Sequence, residues 1–270
     1  MCMSYDIIAL DIDGTLTNSK KEITQRTVKS LIEAQQLGKR VILASGRHDC
    51  GMRSIARTLK LAEYNGVILS FNGGRIINAA TNEIISQTFF PRKYIASILD
   101  IISGSGLTAI TYENDTIIMD NTVNEYTYIE AEIVGMEYKH VDDFLSYVNF
   151  DINKMLLAGD PDIVDEYEEI LSERFKGYFD VFKSCPFFLE IMPFGVNKGA
   201  SLSKLLPKLG YSREQLIACG DSYNDMTMIG FAGLGVCMKN GEKDVKKIAD
   251  VVADSCDDDG VAKIVEKYLL

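Results

Sequence analysis

Short apolar runs alternate with amphipathic patterns in the first third of this 270-residue chain, and this alternation strongly limits the possible folds. The run Ile7–Leu10 is continuous and too short for an amphipathic helix, so it predicts a buried strand. A helix over 24–37, a strand over 41–44, a helix over 48–61 and a strand over 67–71 follow. Such alternation predicts an α/β fold, with a Rossmann-like parallel sheet core and helices on both faces.

The last third repeats this pattern. Its predicted elements are a helix over 198–209, a strand over 216–219, a helix over 223–229, a strand over 234–238 and a helix over 242–249.

The middle of the chain has a different character, because Tyr and Phe are frequent there and two strands are joined by a turn-like segment at 113–115. The predicted strands are 107–112, 116–119, 153–158 and 187–191, and the predicted helices are about 92–102 and 161–175. This part reads as an α+β cap inserted into the core. We expect a catalytic core of residues 1–83 and 191–270, and a cap that determines substrate specificity at residues 84–190.

Composition restricts the partners and the compartment. The formal net charge of −11 argues against nucleic acid as the main partner, because phosphate backbones are bound by clustered Lys and Arg. No apolar run approaches the roughly 20 residues that span a bilayer. Residues 1–6 lack the basic region that opens a signal peptide. We therefore expect no membrane partner and a cytoplasmic location.

The cysteines and histidines argue against two kinds of site. No two of the six cysteines form a C-x-x-C pair, which gives a zinc or redox site little support. Cys219 and Cys237 lie in apolar runs and are predicted to be buried. The only histidines, His48 and His140, have no G-x-S-x-G segment to complete a Ser-His-Asp triad.

Four polar segments follow predicted strands, where ligands of open parallel sheets bind. The first, Asp11-Ile12-Asp13-Gly14-Thr15, can place two carboxylates on one side of extended backbone. Two such carboxylates repel each other unless a cation or a shared proton is present. One of them can attack phosphorus while the other transfers protons. Alone, the segment is equally typical of a turn that ends a strand.

The second segment contains Ser45, Gly46 and Arg47 at a predicted strand-to-helix junction. A hydroxyl group, backbone N–H groups and the helix dipole suit phosphate binding there. The same pattern fits a helix cap at Ser45, and the two interpretations are compatible.

The third segment, Asn197-Lys198-Gly199, places a positive charge at a helix start, which costs ~0.3–1 kcal/mol. This position indicates a nearby anion, either a phosphate or the Asp11/Asp13 pair. A solvated surface lysine is the alternative, since it tolerates so small a cost.

The fourth segment is Gly220-Asp221-Ser222-Tyr223-Asn224-Asp225. Mg²⁺ prefers hard oxygen ligands, so Asp221 can bind it directly, with Asn224 and Asp225 in support. A helix cap at Asp221 or Ser222 is the alternative. Together the four segments supply the nucleophile, acid/base, phosphate-binding groups, cation and metal site that phosphoryl transfer requires.

The order D-I-D-G-T-L, S-G-R, N-K-G and G-D-S-Y-N-D resembles that of the haloacid dehalogenase superfamily over the whole chain. The insertion is similar to the cap of the Cof-like sugar-phosphate phosphatases. The segment Phe71-Asn72-Gly73-Gly74 precedes it, and Leu189-Glu190-Ile191-Met192-Pro193 leads back toward Asn197-Lys198-Gly199.

The resemblance implies a role for each matching residue. Asp11 would be the nucleophile, Asp13 the general acid/base, and Lys198 a catalytic cation that stabilises phosphate. Asp221 would bind Mg²⁺ together with Asp11 and the backbone carbonyl of Asp13. The remaining matches would contact phosphate or substrate, and they are Ser45, Gly46, Arg47, Asn197 and Asn224.

These observations predict a magnesium-dependent phosphatase that acts on a small phosphorylated metabolite, such as a sugar phosphate or a phosphorylated cofactor, through an aspartyl-phosphate. Two alternatives stay open: a phosphohexomutase-like phosphotransferase with a sugar hydroxyl as acceptor, and a non-catalytic regulator that binds a phosphorylated ligand. In the cap, Tyr112, Tyr126 and Tyr128 either stack on a substrate or, as we expect, belong to the cap core.

Overall fold

The computed structural model describes residues 5–270. Cys2 and most of residues 1–6, for which the sequence predicted no signal peptide, lie outside the described residues. The chain forms two compact units, one of Met1–Ser86 with Asn197–Leu270 and one of Gln87–Val196. The two points at which the chain passes from one unit to the other therefore lie a few residues later than the 83/84 and 190/191 boundaries expected from the sequence. The return is later because Phe188–Pro193 is one continuous strand of the second unit.

Strands and helices alternate in the N-terminal segment of the first unit, as predicted. The elements are β1 (Ile7–Leu10), α1 (Gln25–Gln36), β2 (Arg40–Ala44), α2 (Arg53–Thr58), β3 (Val67–Ser70), β4 (Arg75–Asn78) and β5 (Ile84–Gln87). The helix predicted over 48–61 is wrong in its extent, because a 3-10 turn at Asp49–Met52 precedes α2 and Leu59 caps its end. The β3 strand stops at Ser70, since Phe71 turns into the left-handed region with φ 51°. The sequence predicted neither β4 nor β5.

The second unit contains four helices and six strands among its described residues. They are α3 (Ile95–Ile102), β6 (Thr108–Glu113), β7 (Thr116–Met119), α4 (Ile129–Val134), β8 (Glu137–His140), α5 (Phe144–Tyr147), β9 (Met155–Ala158), α6 (Pro161–Arg174), β10 (Phe179–Cys185) and β11 (Phe188–Pro193). The strands form one sheet in the order β10-β11-β9-β6-β7-β8, antiparallel except for the parallel pair β7–β8. An α+β unit was predicted here, but β8, β10, α4 and α5 were not.

The three tyrosines singled out in the cap all pack against other side chains of that unit. Tyr112 is buried and donates a hydrogen bond to Glu130. Tyr126 stacks on Phe187 with ring centroids 5.3 Å apart, and Tyr128 packs against Tyr138. These contacts favour the interpretation of the three rings as packing residues.

The C-terminal segment of the first unit again alternates helices with strands. The elements are α7 (Lys198–Leu209), β12 (Leu216–Gly220), α8 (Met226–Phe231), β13 (Leu234–Met238), α9 (Lys243–Ile248), β14 (Val251–Ala253) and α10 (Gly260–Tyr268). The predicted bounds of α7 and β13 are confirmed residue for residue. Within residues 5–270, no helix combines the length and the apolarity needed to cross a membrane.

The first unit is built on one sheet in the order β14-β13-β12-β1-β2-β3-β4-β5. Neighbours from β14 to β3 pair in parallel, and β4 runs antiparallel to β3. From β1 the chain continues to β2 on one side, and it later returns to β12 on the other. The strand order therefore reverses between β1 and β12, and ligands of open α/β sheets bind outside the carboxyl ends of the strands at such a point.

Helices cover both faces of this sheet, which confirms the predicted α/β core. Alternate residues of β1 point to opposite faces: Ile8 packs into a core with Leu31 of α1, and Ile7 into a core with Leu202 of α7. All four β1 residues are fully buried, as a continuous apolar run predicts. Cys219 and Cys237 are also buried in the strands, as expected.

Close packing fixes the start of α7, where Lys198 lies. Asn197 caps the helix by accepting the Ala200 N–H at 2.8 Å. A side chain at Gly199 would place its Cβ only 2.2 Å from the Thr227 carbonyl oxygen. Glycine costs a helix interior about 1 kcal/mol relative to alanine, and here it allows α7 to approach α8 closely.

Candidate active site

The carboxyl ends of three neighbouring strands bring predicted site residues to one edge of the sheet. Asp11 follows β1, Ser45 follows β2 and Asp221 follows β12. The Asp11 N–H still donates to the Cys219 carbonyl at 3.0 Å, so the strand ladder extends to the first polar residue. The Ser45 N–H likewise donates to Leu69 at 2.9 Å. The sheet therefore fixes the backbone from which these side chains project.

Lys198 connects the nucleophile candidate to the fourth polar segment. Its ammonium group donates to Asp11 Oδ1 at 2.6 Å and to Asp225 Oδ1 at 2.6 Å, and its side chain is fully buried. The charge at the start of α7 is thus compensated by Asp11 and Asp225. It is not a solvated surface lysine, and Asp13 is not its partner.

Asp225 orients its neighbours. Its Oδ1 accepts from Lys198, and its Oδ2 accepts the backbone N–H groups of Asp221 and Ser222 at 2.9 and 3.0 Å. The residue is fully buried. Since both of its oxygens already accept hydrogen bonds, Asp225 holds Lys198 and the Asp221 segment in place, in line with the supporting role expected from the sequence.

The proton affinities in this cluster reflect buried and unbalanced charge. Burial, reinforced by the negative charges of Asp225 and Asp221, raises the pKa of Asp11 to about 8 although Lys198 opposes the rise. Burial alone would lower the pKa of Lys198, but the two carboxylates that it contacts outweigh burial and raise it. Lys198 therefore stays charged at neutral pH.

Asp221 is held by the turn after β1. Thr15 donates its hydroxyl to Asp221 Oδ1 at 2.7 Å. Gly14, with φ 80°, lies so close that a Cβ there would be 2.5 Å from Asp221 Oδ2. Burial raises the pKa of Asp221 to about 6, against the opposing effect of the Thr15 hydrogen bond. Thr15 is a site residue for which the sequence assigned no separate role.

The donor set fits a magnesium ion. Asp11, Asp221 and Asp225 each offer a carboxylate oxygen, and these oxygens lie within 4.8 Å of one another. The cluster contains three carboxylates and one ammonium group, which contacts two of them, so in its ionised form it has an excess of negative charge that a divalent cation would neutralise. Mg²⁺ takes hard oxygen ligands and usually only one or two protein carboxylates. Both oxygens of Asp225 accept hydrogen bonds, whereas Asp11 and Asp221 accept through Oδ1, so Asp11 and Asp221 are the carboxylates suited to hold the ion.

Asp13 lies between two cations. Arg47 donates to both of its oxygens, at 2.8 Å from Nε and 2.7 Å from Nη2, and Lys21 donates to Oδ1 at 2.8 Å. Burial opposes ionisation, but these hydrogen bonds and charges lower the pKa of Asp13. Sequence reasoning missed Lys21, and its left-handed backbone with φ 62° follows from no local pattern.

The segment after β2 contacts Asn72, a residue that sequence reasoning did not assign to the site. Asn72 is buried, its N–H donates to the Ser45 carbonyl at 2.9 Å, and its Oδ1 accepts from Asn224 at 3.1 Å. A Cβ at Gly46 would lie 3.3 Å from the Asn72 amide. The available signal was an asparagine between a buried strand and two glycines, which is typical of a left-handed turn.

Comparison with known proteins identifies the family of this chain. A sequence profile of the haloacid dehalogenase-like hydrolases matches residues 8–265. The 5-amino-6-(5-phospho-D-ribitylamino)uracil phosphatase YcsE of Bacillus subtilis is 31% identical over 264 residues, which cover 98% of this chain and 96% of that protein.

Solved structures show the same fold. A haloacid dehalogenase-like hydrolase from Bacteroides thetaiotaomicron is 40% identical with a TM-score of 0.92, over 98% of this chain and 99% of the other. The subclass IIB sugar phosphatase BT4131 is 21% identical with a TM-score of 0.85, over 98% and 100% of the two chains, and shares the fold. The chain therefore belongs to the haloacid dehalogenase-like hydrolase family, as an enzyme of the phosphatase type.

Proposed function

We propose that the enzyme is a magnesium-dependent phosphatase that hydrolyses small phosphomonoesters through a phosphorylated Asp11. The observation that supports this most directly is the buried Asp11 carboxylate at the end of β1, held by Lys198 and close to Asp221. A carboxylate fixed in this way can attack phosphorus, because the hydrogen bond to Lys198 limits its rotation.

The cations around the cluster stabilise negative charge during the transfer. Mg²⁺ held by Asp11, Asp221 and the backbone carbonyl of Asp13 would offset the charge of the phosphoryl group. Lys198 supplies a permanent positive charge beside Asp11. The Ser45 hydroxyl and the backbone N–H groups after β2 would bind the phosphoryl oxygens, with Asn197 and Asn224 near the substrate.

Asp13 would act as the acid in the first step and as the base in the second. Its proton goes to the ester oxygen as the P–O bond to the leaving alcohol breaks. The ionised carboxylate then takes a proton from the water that attacks phospho-Asp11. Without substrate, the hydrogen bonds and charge of Arg47 lower the pKa of Asp13 and so favour its ionised form. A substrate phosphate that binds Arg47 would compete with Asp13 for it and make protonation of Asp13 easier.

Small phosphorylated metabolites are the proposed substrates, with the cytosol as the expected compartment. The relative YcsE is named for 5-amino-6-(5-phospho-D-ribitylamino)uracil, which makes that compound a useful member of a test panel. Sugar phosphates and phosphorylated cofactors complete the panel, as the resemblance to Cof-like phosphatases suggests.

The test is a phosphate-release assay on this panel, with Mg²⁺, with a chelator, and with Mg²⁺ restored. We expect release that chelation stops and Mg²⁺ restores, and that Asp11→Asn abolishes. The matched control is Asp151→Asn, the same change at an exposed position in the second unit, which is expected to keep full activity.

Product analysis and ligand-binding measurements on the same panel distinguish the two alternatives. Isomerised sugar phosphate without net phosphate release would replace the proposal with a mutase. Tight binding without turnover across the panel would replace it with a ligand-binding regulator. Unchanged turnover in Asp11→Asn would overturn the assignment of the nucleophile.

A further inference from the structure

Asn240, in the exposed loop after β13, links two segments that are far apart in sequence. Its Nδ2 donates to the Gly14 carbonyl at 2.7 Å, and its Oδ1 accepts the Cys256 N–H at 2.9 Å. The orientation of the amide is fixed chemically, because a carbonyl only accepts and a backbone N–H only donates. Asn240 therefore connects the turn after β1 with the segment before α10.

The carbonyl that Asn240 holds belongs to the peptide between Gly14 and Thr15. On one side of this peptide lies Asp13, whose own carbonyl is a proposed metal ligand. On the other side, Thr15 donates to Asp221 Oδ1 at 2.7 Å, and Gly14 itself lies against Asp221 Oδ2. Rotation of this single peptide would therefore displace two groups that are proposed to hold Mg²⁺.

The segment that supports Asn240 is itself tied to the N-terminal loop. Asp257 Oδ1 accepts the Ser19 N–H at 2.8 Å, and Asp259 Oδ1 accepts the Thr24 hydroxyl at 2.5 Å. Cys256, whose N–H donates to Asn240, is buried and directly precedes these residues in sequence. Asn240 thus holds Gly14 against a segment that several hydrogen bonds keep in place.

We propose that Asn240 is a positioning residue of the active site, which fixes the Gly14 peptide and thereby the Mg²⁺-binding geometry of Asp221 and of the Asp13 carbonyl. The inference rests on the proposed magnesium-dependent function. The Asn240 side chain bonds to backbone groups of Gly14 and Cys256, so its proposed effect on the metal ligands is indirect. Residues that orient metal ligands typically change metal affinity or activity by about 10–100-fold when they are replaced.

The decisive variant is Asn240→Asp. Its carboxylate keeps an acceptor for the Cys256 N–H but places an oxygen against the Gly14 carbonyl, so the holding contact becomes repulsive. If only charge mattered, the added negative charge would strengthen binding of a cation. A positioning role and simple electrostatics therefore predict opposite changes in Mg²⁺ affinity for this variant. Asn240→Ala removes both hydrogen bonds without adding charge, and Asn149→Asp, an exposed position in the second unit, is the matched control.

Two measurements are needed: Mg²⁺ affinity by calorimetry without substrate, and the Mg²⁺ concentration that gives half-maximal phosphate release. We expect both Asn240 variants to bind Mg²⁺ about 10-fold or more weakly, while Asn149→Asp matches the wild type. Circular dichroism with chelator present checks that the variants are folded. If one Asn240 variant does not fold, the Mg²⁺ affinity of the other is used to test the proposal.

The outcomes separate this inference from the proposed function. Unchanged affinity in a folded Asn240→Ala, or tighter binding in Asn240→Asp, would overturn the positioning role while the wild type remains an active magnesium enzyme. A wild type that neither binds Mg²⁺ nor releases phosphate would overturn the proposed function itself.

Discussion

Each of the two compact units contains a buried lysine that forms an ion pair, and the two lysines have different surroundings. In the first unit, Lys198 lies 2.6 Å from Asp11 and 2.6 Å from Asp225. In the second, Lys154 forms an ion pair with Glu190 at 2.8 Å. Lys198 is fully buried and Lys154 is 2% exposed, so burial alone does not distinguish a functional site from a structural one.

The number of carboxylates that contact the ammonium group distinguishes them. Lys154 forms an ion pair with Glu190, and 5.4 Å from its ammonium group lies the ring of Tyr112, which donates to the buried Glu130. Around Lys198, Asp221 adds a third carboxylate to the two that the lysine contacts. Uncompensated negative charge in a buried site is unfavourable for folding and favourable for binding a cation. We therefore interpret the first cluster as chemical and the second as structural.

The largest expected contrast comes from replacing each lysine by methionine. In Lys198→Met, two buried carboxylates lose their cation, and we expect at least a ~100-fold loss of kcat, the scale for removing a charge-stabilising donor. In Lys154→Met, we expect kcat per folded molecule to change little. Both changes break a buried ion pair, which costs roughly 3–5 kcal/mol.

Urea denaturation and phosphate release on the same samples give both quantities. If Lys154→Met does not fold, Glu190→Gln tests the same pair. Equal losses of kcat in Lys198→Met and Lys154→Met would contradict the distinction between the two lysine clusters.

A smaller effect is expected in the pH dependence of stability. In the metal-free protein the pKa values of Asp11 and Asp221 are raised to about 8 and about 6 from the usual 3.8. The folded state then holds protons that the unfolded state has released. Stability should therefore fall as the pH rises from about 4 to about 8. Thermal unfolding in chelator should show this slope, and Asp11→Asn should flatten it.

Glu190→Gln serves as the comparison from the second unit, where we expect the slope to remain. Saturating Mg²⁺ should reduce the slope, because the ion favours ionised ligands in the folded state. A metal-free protein that becomes more stable over this range would contradict the charge imbalance on which the comparison rests.

The smallest effect is expected at Lys21. Its side chain is 67% exposed, so its ion pair with Asp13 should contribute ~1 kcal/mol or less to stability. In Lys21→Ala we expect the unfolding free energy to fall by ~1 kcal/mol or less, and a modest loss of kcat that is larger for alkyl phosphates than for p-nitrophenyl phosphate. The physical reason is that alkyl leaving groups depend more on a well-placed acid. Equal losses on both substrates would indicate that Lys21 does not act through Asp13.

The sequence predicted the framework of the site well, because local patterns determine it. Continuous apolar runs predicted β1 and β13, and helical spacing with Gly210 predicted the end of α7. The polar segments after β1, β2 and β12 were predicted to share one edge, and they do. Parallel strands bring their carboxyl ends together whatever the details of the side chains.

Local sequence patterns did not predict which side chains distant in sequence contact each other. Lys198 was expected to face a phosphate or the Asp11/Asp13 pair, and the structure pairs it with Asp11 and Asp225. Asn240 and Gly14 are 226 positions apart. Nothing in the short segment around Asn240 indicates which carbonyl its side chain will meet, since packing of the whole unit determines that contact. The strand β4 was missed for a different reason: it pairs with β3 across a short local turn, and the sequence analysis did not identify that turn.

The central claim is that Asp11 carries the phosphoryl group during turnover. The most direct test is rapid quenching of the Asp13→Ala variant with Mg²⁺ and a reactive phosphomonoester, followed by mass spectrometry of the peptide that contains Asp11. Without the Asp13 base, hydrolysis of the intermediate should be slow, so we predict an added phosphoryl group on Asp11 that is absent when chelator is present. Wild-type turnover with no phosphorylated Asp11 in this variant, or with the phosphoryl group on another residue, would contradict the account.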